Sequence, residues 1–184
     1  LMEASPSPAA ALDGLARQPH PVLLESTAFH RQYGRYTVMA CRPAEILTLR
    51  DGRLLDMAGE QVPGDSPLEG LRNALGSVRC PGGWPVPYGP GWIGYVGYEF
   101  GRHLERLPGR AVRDTSLPDI HLAFYQAVAV HDALKKRWHL AWLEPDEPRP
   151  AGSSGAGPAD EDARQTLIDI IQSAPDRRPP AAED

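Results

Sequence analysis

Cysteine is scarce in this sequence: among 184 residues there are two, Cys41 and Cys80, and neither lies in a C-x-x-C pair. This spacing excludes a disulfide framework or a zinc ribbon as the organising feature of the fold, and favours a reducing, cytoplasmic setting. The six histidines are scattered, with no helical pair beside a carboxylate, so the sequence predicts no metal site.

Excess positive charge and long apolar runs are also lacking. The formal net charge is −5, which argues against a nucleic acid or an anionic membrane as partner. No apolar run approaches the 18 residues of a membrane-spanning helix, and the first residues lack the basic and apolar regions of a signal peptide. With 41% hydrophobic residues, we expect a soluble protein with a core of its own.

Glycine and proline are plentiful, at 18 and 20 residues, and half of the prolines lie in residues 1–19 and 145–184. We therefore predict a mobile arm over residues 1–19, with a short helix around Ala9 to Arg17 as the alternative, and a folded domain over residues 20–145. A linker over 146–160 should precede an amphipathic helix over 161–174 and a disordered tail over 175–184. Such a helix must dock on this domain or on another one.

The predicted domain is dominated by antiparallel strands. Pro21 to Thr27, Gly34 to Ala40 and Asp119 to Val130 have strand-like compositions, and Arg137 to Leu143 is expected to pair with the last of these in a hairpin. The predicted fold class is α+β, with antiparallel sheets packed orthogonally as in a sandwich and a few helices against them.

Two local signals are sharper than the rest. Asp51-Gly52 joins the apolar runs Glu45 to Arg50 and Arg53 to Met57, which predicts a hairpin whose turn residues both have positive φ. Ser66, followed by proline and by Glu three residues later, predicts a helix start. The expected buried stripe of that helix consists of Leu68, Leu71, Leu75 and Val78.

The stretch from Tyr88 to Pro108 combines glycines with large aromatic residues. Its glycines at 91, 94 and 97 predict a strand that bends or that approaches another backbone closely. The series reads G-x-x-G-x-x-G without a convincing helix after it, so a dinucleotide-binding loop is not supported. No phosphate-binding loop of the G-x-x-x-x-G-K type and no G-x-S-x-G nucleophile motif is present.

Three sets of polar residues are candidates for function. Glu25, Ser26 and Arg35 have the groups to hold the ammonium and carboxylate of an amino acid, although composition alone favours a solvated strand edge. Glu99, Arg102 and Glu105 share one face if Phe100 to Leu107 is helical, as a surface network or as a functional set. The third set is His131 and His139, which could face each other across the second hairpin, although lone histidines on strands are usually structural.

Four segments in this order carry a family resemblance: LLES at Leu23 to Ser26, GRYTVMA at Gly34 to Ala40, GWIGYVGYEFGRHLERLP at Gly91 to Pro108, and LPDIHLAFYQAVAVHD at Leu117 to Asp132. Over residues 20 to 145 the sequence resembles the N-terminal domain of component I of anthranilate synthase and of aminodeoxychorismate synthase. The resemblance implies antiparallel sheets with helices, packed against a larger chorismate-binding domain that this sequence does not match.

The resemblance also implies which residues bind a ligand. In the family, the LLES segment lines a pocket for L-tryptophan, so Glu25 would meet the ammonium group, Ser26 would hydrogen-bond nearby and Leu24 would form an apolar wall. The ligand-binding residues expected on this basis are Leu24, Glu25, Ser26, Arg35, Tyr36 and Thr37. Glu99 and Arg102 are expected to support the interface between domains.

No catalytic residue and no cofactor is expected in this chain, because the chorismate and magnesium residues of the family belong to the second domain. The expected partners are that chorismate-binding domain and a glutamine amidotransferase subunit. Gly101 before Arg102 resembles the aminodeoxychorismate synthase pattern of the folate pathway, with anthranilate synthase as the alternative. A stand-alone amino-acid-binding module is a further alternative.

Overall fold

The computed structural model describes residues 6–26, 28–77, 83–105, 115–143 and 158–175. Its elements, in chain order, are α1 (Pro8–Ala16), β1 (Val22–Leu24), β2 (Tyr36–Ala40), β3 (Glu45–Arg50), β4 (Arg53–Leu55), α2 (Pro67–Gly76), β5 (Gly91–Val96), a 3-10 helix (Tyr98–His103), β6 (Ile120–Tyr125), β7 (Ala127–Asp132), β8 (Arg137–Trp142) and α3 (Pro158–Ser173). The predicted α+β class with antiparallel sheets is confirmed. In the described ranges, no helix combines the length and apolar character that a bilayer span requires.

Two four-stranded sheets share one continuous stretch of chain. Sheet A has the strand order β1-β2-β7-β8 and sheet B the order β4-β3-β6-β5, with every neighbouring pair antiparallel. The prediction of a single strand over Asp119 to Val130 is therefore wrong. The chain leaves sheet B at Gln126 and enters sheet A, so this stretch forms two strands, β6 and β7. The Gln126 carbonyl accepts a hydrogen bond from the Leu143 amide, 2.9 Å away, beside β8. The predicted second hairpin is observed as β7 and β8.

The core has three layers of apolar side chains, because each strand alternates its side chains between two faces. One layer lies between the sheets and includes Val38, Ile46, Ala123, Val128 and Val130. A second lies between sheet B and α2, with Leu47, Leu49, Leu54, Leu71 and Ile120. The third lies between sheet A and the helices α1 and α3, with Leu15, Met39, Trp138, Leu167 and Ile171.

The outer face of sheet A is covered by the first and last described helices. Ser7 caps α1 by accepting a hydrogen bond from the Ala10 amide at 3.3 Å, and the buried Leu15 reaches the core. Part of the predicted mobile arm is thus a docked helix, because Ser7 and Pro8 supply a helix start and Leu15 an anchor. The helix predicted after the linker docks on this domain as α3, whereas residues 144–157 and 176–184 lie outside the described ranges.

Both sharp local signals are confirmed in the structure. Asp51 and Gly52 have φ values of 50° and 74°, as the tight hairpin turn requires. The Ser66 hydroxyl accepts a hydrogen bond from the Glu69 amide at 3.2 Å, which caps α2. The predicted stripe is partly wrong: Leu71 is buried, but Leu75 is 38% exposed near the end of this short helix. Val78 lies outside the described residues.

Gly94 of β5 marks a close approach between two backbones. A Cβ atom added there would lie 1.9 Å from the carbonyl oxygen of His121 on β6, far inside van der Waals contact. Gly94 therefore permits the pairing of β5 with β6, in which it lies opposite Leu122. The prediction of a strand with a close backbone approach in this stretch is confirmed.

Asp132 is the most heavily bonded carboxylate of sheet A. It accepts from Arg35 Nε at 2.8 Å and from Arg35 Nη2 at 2.6 Å, and from the amides of Leu134 and Lys135 at 3.1 and 3.2 Å. Its side chain is only 1% exposed. The hydrogen bond from Arg35 lowers the pKa of Asp132 to about 2, against burial, which raises it. One carboxylate thus fixes the turn after β7 and the residue before β2.

Replacing Gly94 by alanine should destabilise the domain by at least about 2 kcal/mol, because the added methyl group forces β5 away from β6. The control is Gly76→Ala at the end of α2, where an added Cβ meets nothing within 4 Å. That control should be neutral or slightly stabilising. Urea unfolding checks both variants, and equal midpoints would contradict the close approach.

Asp132→Asn should lower the free energy of unfolding at pH 7 by roughly 2 kcal/mol, since it removes the ionic part of the Arg35 pair. Because the pKa of Asp132 is lower in the folded state, this contribution is present above the unfolded value of 3.8 and is lost as the pH falls through about 2. Unfolding curves of wild type and variant should therefore converge in acid. The control Asp162→Asn disrupts the exposed pair with Arg42 and should cost below about 1 kcal/mol at any pH. A gap between wild type and Asp132→Asn that does not change with pH would contradict the assignment.

Candidate functional site

The candidate site lies at one end of sheet A, where β1 stops beside the start of β2. Leu24 is the last residue of β1 and lies opposite Val38. Glu25 and Ser26 follow it as exposed residues, and Leu24 itself is 46% exposed although apolar. The strand predicted over Pro21 to Thr27 is thus shorter than expected, and Thr27 lies outside the described residues. Leu24, Glu25 and Ser26 thus bring an apolar side chain, a carboxylate and a hydroxyl to the end of the strand.

The loop after β1 folds back and returns the chain to β2. The Ser26 hydroxyl donates to the Tyr33 carbonyl at 3.3 Å, and the Gly34 amide donates to the His30 carbonyl at 3.0 Å. A Cβ at Gly34 would lie 2.1 Å from the Ala28 carbonyl oxygen, so the loop needs glycine there. This loop places Arg35 and Tyr36 beside the end of β1.

Arg35 and Tyr36, at the start of β2, are the other residues of the site. The Arg35 guanidinium lies 4.8 Å from the centre of the Tyr36 ring while it binds Asp132. Tyr36 makes an edge contact with Tyr88, whose ring centre is 5.8 Å away. Among the hydrogen bonds of the described residues, Arg35 uses Nε and Nη2, and none uses Nη1. Nε and Nη2 of Arg35 have a structural role, the bond to Asp132, that could not be predicted from the sequence.

The six predicted ligand residues do not share one face. Successive side chains of a strand point to opposite faces, so Tyr36 and Val38 face sheet B while Thr37 faces the helix side of sheet A. Thr37 is buried there, opposite His131. The structure therefore brings Leu24, Glu25, Ser26, Arg35 and Tyr36 to one end of the sheet and separates Thr37 from them.

Two residues at this end were missed from the sequence, Tyr88 and Asp132. Tyr88 comes from the loop before β5, and nothing in that proline-rich segment indicates a contact with β2. Asp132 did carry a signal, because an aspartate directly after a strand commonly accepts from turn amides, as it does from Leu134 and Lys135 here.

Glu99 and Arg102 form an ion pair on the 3-10 helix after β5. The i,i+3 spacing brings the two side chains together because a 3-10 helix has three residues per turn. Both are more than a third exposed, and Glu105 is exposed beyond the helix end. The pair is a surface contact beside the exposed side chain of Tyr98, and its predicted role at a domain interface stays a prediction.

The two histidines of the second hairpin do not face each other. His131 lies opposite Trp138, and His139 lies opposite Val130, so the two rings occupy opposite faces of sheet A. The expectation that they face each other is wrong because the register is shifted by one residue. Burial lowers the pKa of each. No group of three metal-binding side chains occurs within the described ranges.

No family model matches this chain. The chain is 35% identical over 122 residues to anthranilate synthase component 1 of Mycolicibacterium smegmatis, covering 64% of this chain and 23% of that protein. It is 32% identical over 121 residues to the Arthrobacter globiformis protein of the same name, covering 62% and 22%. It is 27% identical over 149 residues to aminodeoxychorismate synthase component 1 of Klebsiella aerogenes, covering 71% and 32%. The chain thus spans about a quarter to a third of the length of these relatives.

The fold has a counterpart among solved structures. Anthranilate synthase component I from Streptococcus pneumoniae TIGR4 superimposes with a TM-score of 0.57 and 24% identity, covering 99% of this chain and 38% of that one. At 24% identity this similarity shows the fold alone. The evolutionary relationship is shown by the sequence relatives. The resemblance read from the four motifs is confirmed: over about two thirds of its length the chain is similar to a part of anthranilate synthase component 1 and aminodeoxychorismate synthase component 1.

Proposed function

We propose that this chain is the amino-acid-binding and structural domain of an aminodeoxychorismate synthase component 1. That enzyme aminates chorismate to 4-amino-4-deoxychorismate, for p-aminobenzoate and folate synthesis in the cytoplasm. The observation that carries the proposal is that Leu24, Glu25 and Ser26, at the end of β1, lie at the same end of sheet A as Arg35 and Tyr36, at the start of β2. These groups match the ammonium, the carboxylate and the apolar side chain of an amino acid such as L-tryptophan.

Each side chain has a distinct part in this proposal. Glu25 accepts hydrogen bonds from the ligand ammonium, and Ser26 bonds nearby through the hydroxyl that otherwise reaches Tyr33. Leu24 supplies the apolar wall, since it is exposed at the strand end. Arg35 keeps the start of β2 in place through Asp132, and its Nη1 group is left for the ligand carboxylate.

Catalysis is assigned to another part of the component 1 polypeptide. A chorismate-binding domain would hold chorismate and magnesium, and a glutamine amidotransferase subunit would supply ammonia. The name component 1, shared by the relatives, supports the existence of a second component. Glu99 and Arg102, exposed beside Tyr98, would support the contact with the chorismate-binding domain. No catalytic residue is proposed within this chain.

The tryptophan branch is the second candidate. Identity to the Mycolicibacterium smegmatis anthranilate synthase is 35%, against 27% to the Klebsiella aerogenes aminodeoxychorismate synthase, which favours a component of anthranilate synthase. Gly101 before Arg102 favours the folate branch. In the tryptophan branch, the same amino-acid site would serve feedback inhibition by tryptophan.

L-Tryptophan should bind the full-length gene product, and Glu25→Gln should weaken that binding at least about tenfold, because a charge-assisted hydrogen bond to the ammonium is lost. Glu60→Gln, at an exposed residue beyond β4, is the matched control and should leave the affinity unchanged. Titration calorimetry measures all three proteins. Equal affinities for wild type and Glu25→Gln would remove Glu25 from the site.

The 184-residue chain alone should bind L-tryptophan weakly or not at all, since the pocket shares walls with the second domain.

The 184-residue chain should give no product from chorismate, ammonia and magnesium, whereas the full-length gene product should give 4-amino-4-deoxychorismate. Conversion of that product to p-aminobenzoate by a coupling lyase identifies it, and anthranilate is detected by its fluorescence. Anthranilate as the product would select the second candidate. Turnover by the 184-residue chain would contradict the division of labour between domains.

A further inference from the structure

Asp132 is flanked by an arginine on each side of β7. In the register of sheet A it lies directly opposite Tyr36 of β2 and directly opposite Arg137 of β8. Directly opposite residues have their side chains on the same face, with Cβ atoms about 4.5–5.5 Å apart. Asp132 nevertheless accepts its side-chain hydrogen bonds from Arg35, the residue before β2, at 2.6 and 2.8 Å. Arg137 is therefore a second cation placed beside a carboxylate that already has one.

Arg137 has no partner in the part of the chain that the structure describes. Its Nε atom is buried without a hydrogen-bond partner there, and none of the ion pairs between described residues includes its guanidinium. Its charge acts on His139, two residues further along β8, since burial and then the charge of Arg137 lower the pKa of that imidazole. A buried donor without an acceptor costs free energy, which a carboxylate brought to it would recover.

The charges of the candidate site do not balance when an amino acid is bound. The ammonium group of the ligand matches Glu25, and its carboxylate matches Arg35. Asp132 already holds two nitrogens of that same guanidinium, and its side chain is only 1% exposed. Two carboxylates would then share one arginine, and an uncompensated buried charge is strongly unfavourable. The bound state therefore needs one more cation beside Asp132.

We propose that Arg137 is a positioning residue of the amino-acid site, which binds Asp132 when a ligand carboxylate binds Arg35. This inference rests on the proposed function, because it takes the ligand to be an amino acid such as L-tryptophan. Lys135 is a cation in the same turn, but it is exposed and serves Asp132 through its backbone amide. Arg137 lies opposite Asp132 in the sheet, and its buried Nε gains an acceptor by the change.

A double-mutant cycle on the 184-residue chain tests the contact between Asp132 and Arg137 without any ligand. Arg35→Gln removes the first partner of Asp132, so Arg137 should replace it. In urea unfolding, Arg137→Gln should then lower the folding equilibrium constant at least about threefold more in the Arg35→Gln protein than in wild type. The matched control Lys135→Gln removes an exposed cation from the same turn and should have the same effect in both. Independent effects of Arg35→Gln and Arg137→Gln would overturn the proposal.

Titration calorimetry of L-tryptophan with the full-length gene product tests the role in ligand binding. At pH 7, Arg137→Gln should weaken binding at least about tenfold, because the charge of Asp132 is then uncompensated in the complex. Arg137→Lys should restore most of the lost affinity, since it returns the positive charge. Lys135→Gln should change the affinity less than about twofold, because exposed charges are screened by solvent.

The pH profile separates this role from a merely structural one. The loss of affinity in Arg137→Gln should shrink between pH 7 and about pH 4, because protonation of Asp132 removes the excess negative charge. Damage to the fold alone would leave the ratio of wild-type to variant affinity unchanged. The other charged or titratable groups close to Asp132 are the same in both proteins, and they are Arg35, His131, Lys135 and His139.

Equal losses of affinity with Arg137→Gln and Lys135→Gln, or a loss in Arg137→Gln that does not change with pH, would overturn the proposal. Either result would leave the amino-acid site itself in place. If the wild-type full-length protein binds no L-tryptophan, the proposed function and the ligand role of Arg137 both fail. The ligand-free cycle would still show whether Asp132 has Arg137 as its second partner.

Discussion

Both sheets depend on one stretch of chain, residues 120–132, which supplies an inner strand to each of them. Before Gln126, the odd-numbered residues Ala123 and Tyr125 face the space between the sheets; after it, the even-numbered Val128 and Val130 do so. The alternation of side chains therefore shifts by one residue at the crossing. Because the sheets meet through these side chains, the shift at Gln126 sets which faces form the interior.

The geometry of the candidate site depends on Asp132, the last residue of the same stretch. Asp132 closes β7, binds Arg35 through two nitrogens and accepts from the amides of the following turn. Arg35 in turn precedes β2, whose register fixes β1 and so the positions of Glu25 and Ser26. A residue remote in sequence from the LLES segment thus determines where that segment presents its polar groups. The arginine that would bind a ligand is also the one that holds the sheet end together.

Local signals in the sequence predicted local structure well. Asp51-Gly52 and Ser66 act through backbone conformation and nearby amides, and both elements appear as expected. The glycines of β5 indicated a close approach, which Gly94 makes with His121. The crossing at Gln126 could not be predicted, since every residue from 123 to 132 is buried and periodicity distinguishes no faces there.

Among the candidate functional residues, too, those set by local sequence could be predicted, and those set by contacts between distant residues could not. The end of β1 could be predicted to present polar groups because LLES passes from apolar to polar residues. The separation of Thr37 from Tyr36 follows from simple alternation, but the pairing of Arg35 with Asp132 spans 97 positions and depends on the strand order β2-β7. The prediction that His131 and His139 face each other was wrong. The register of β7 with β8 differs by one residue from the one that this prediction needs, and a shift of one residue moves a side chain to the other face of the sheet.

The contact of α1 with α3 also bears on the synthesis of the chain. Gly14 of α1 packs against Ile170 of α3, so the two helices that cover sheet A are translated 156 residues apart. At ribosomal rates of about 5–20 residues per second, roughly 8 to 30 s separate their emergence. Met39 precedes α3 by more than 100 residues, so it has no complete cover for most of that interval, whereas Trp138 follows late in it. The apolar outer face of sheet A therefore stays partly exposed on the nascent chain until the last helix emerges.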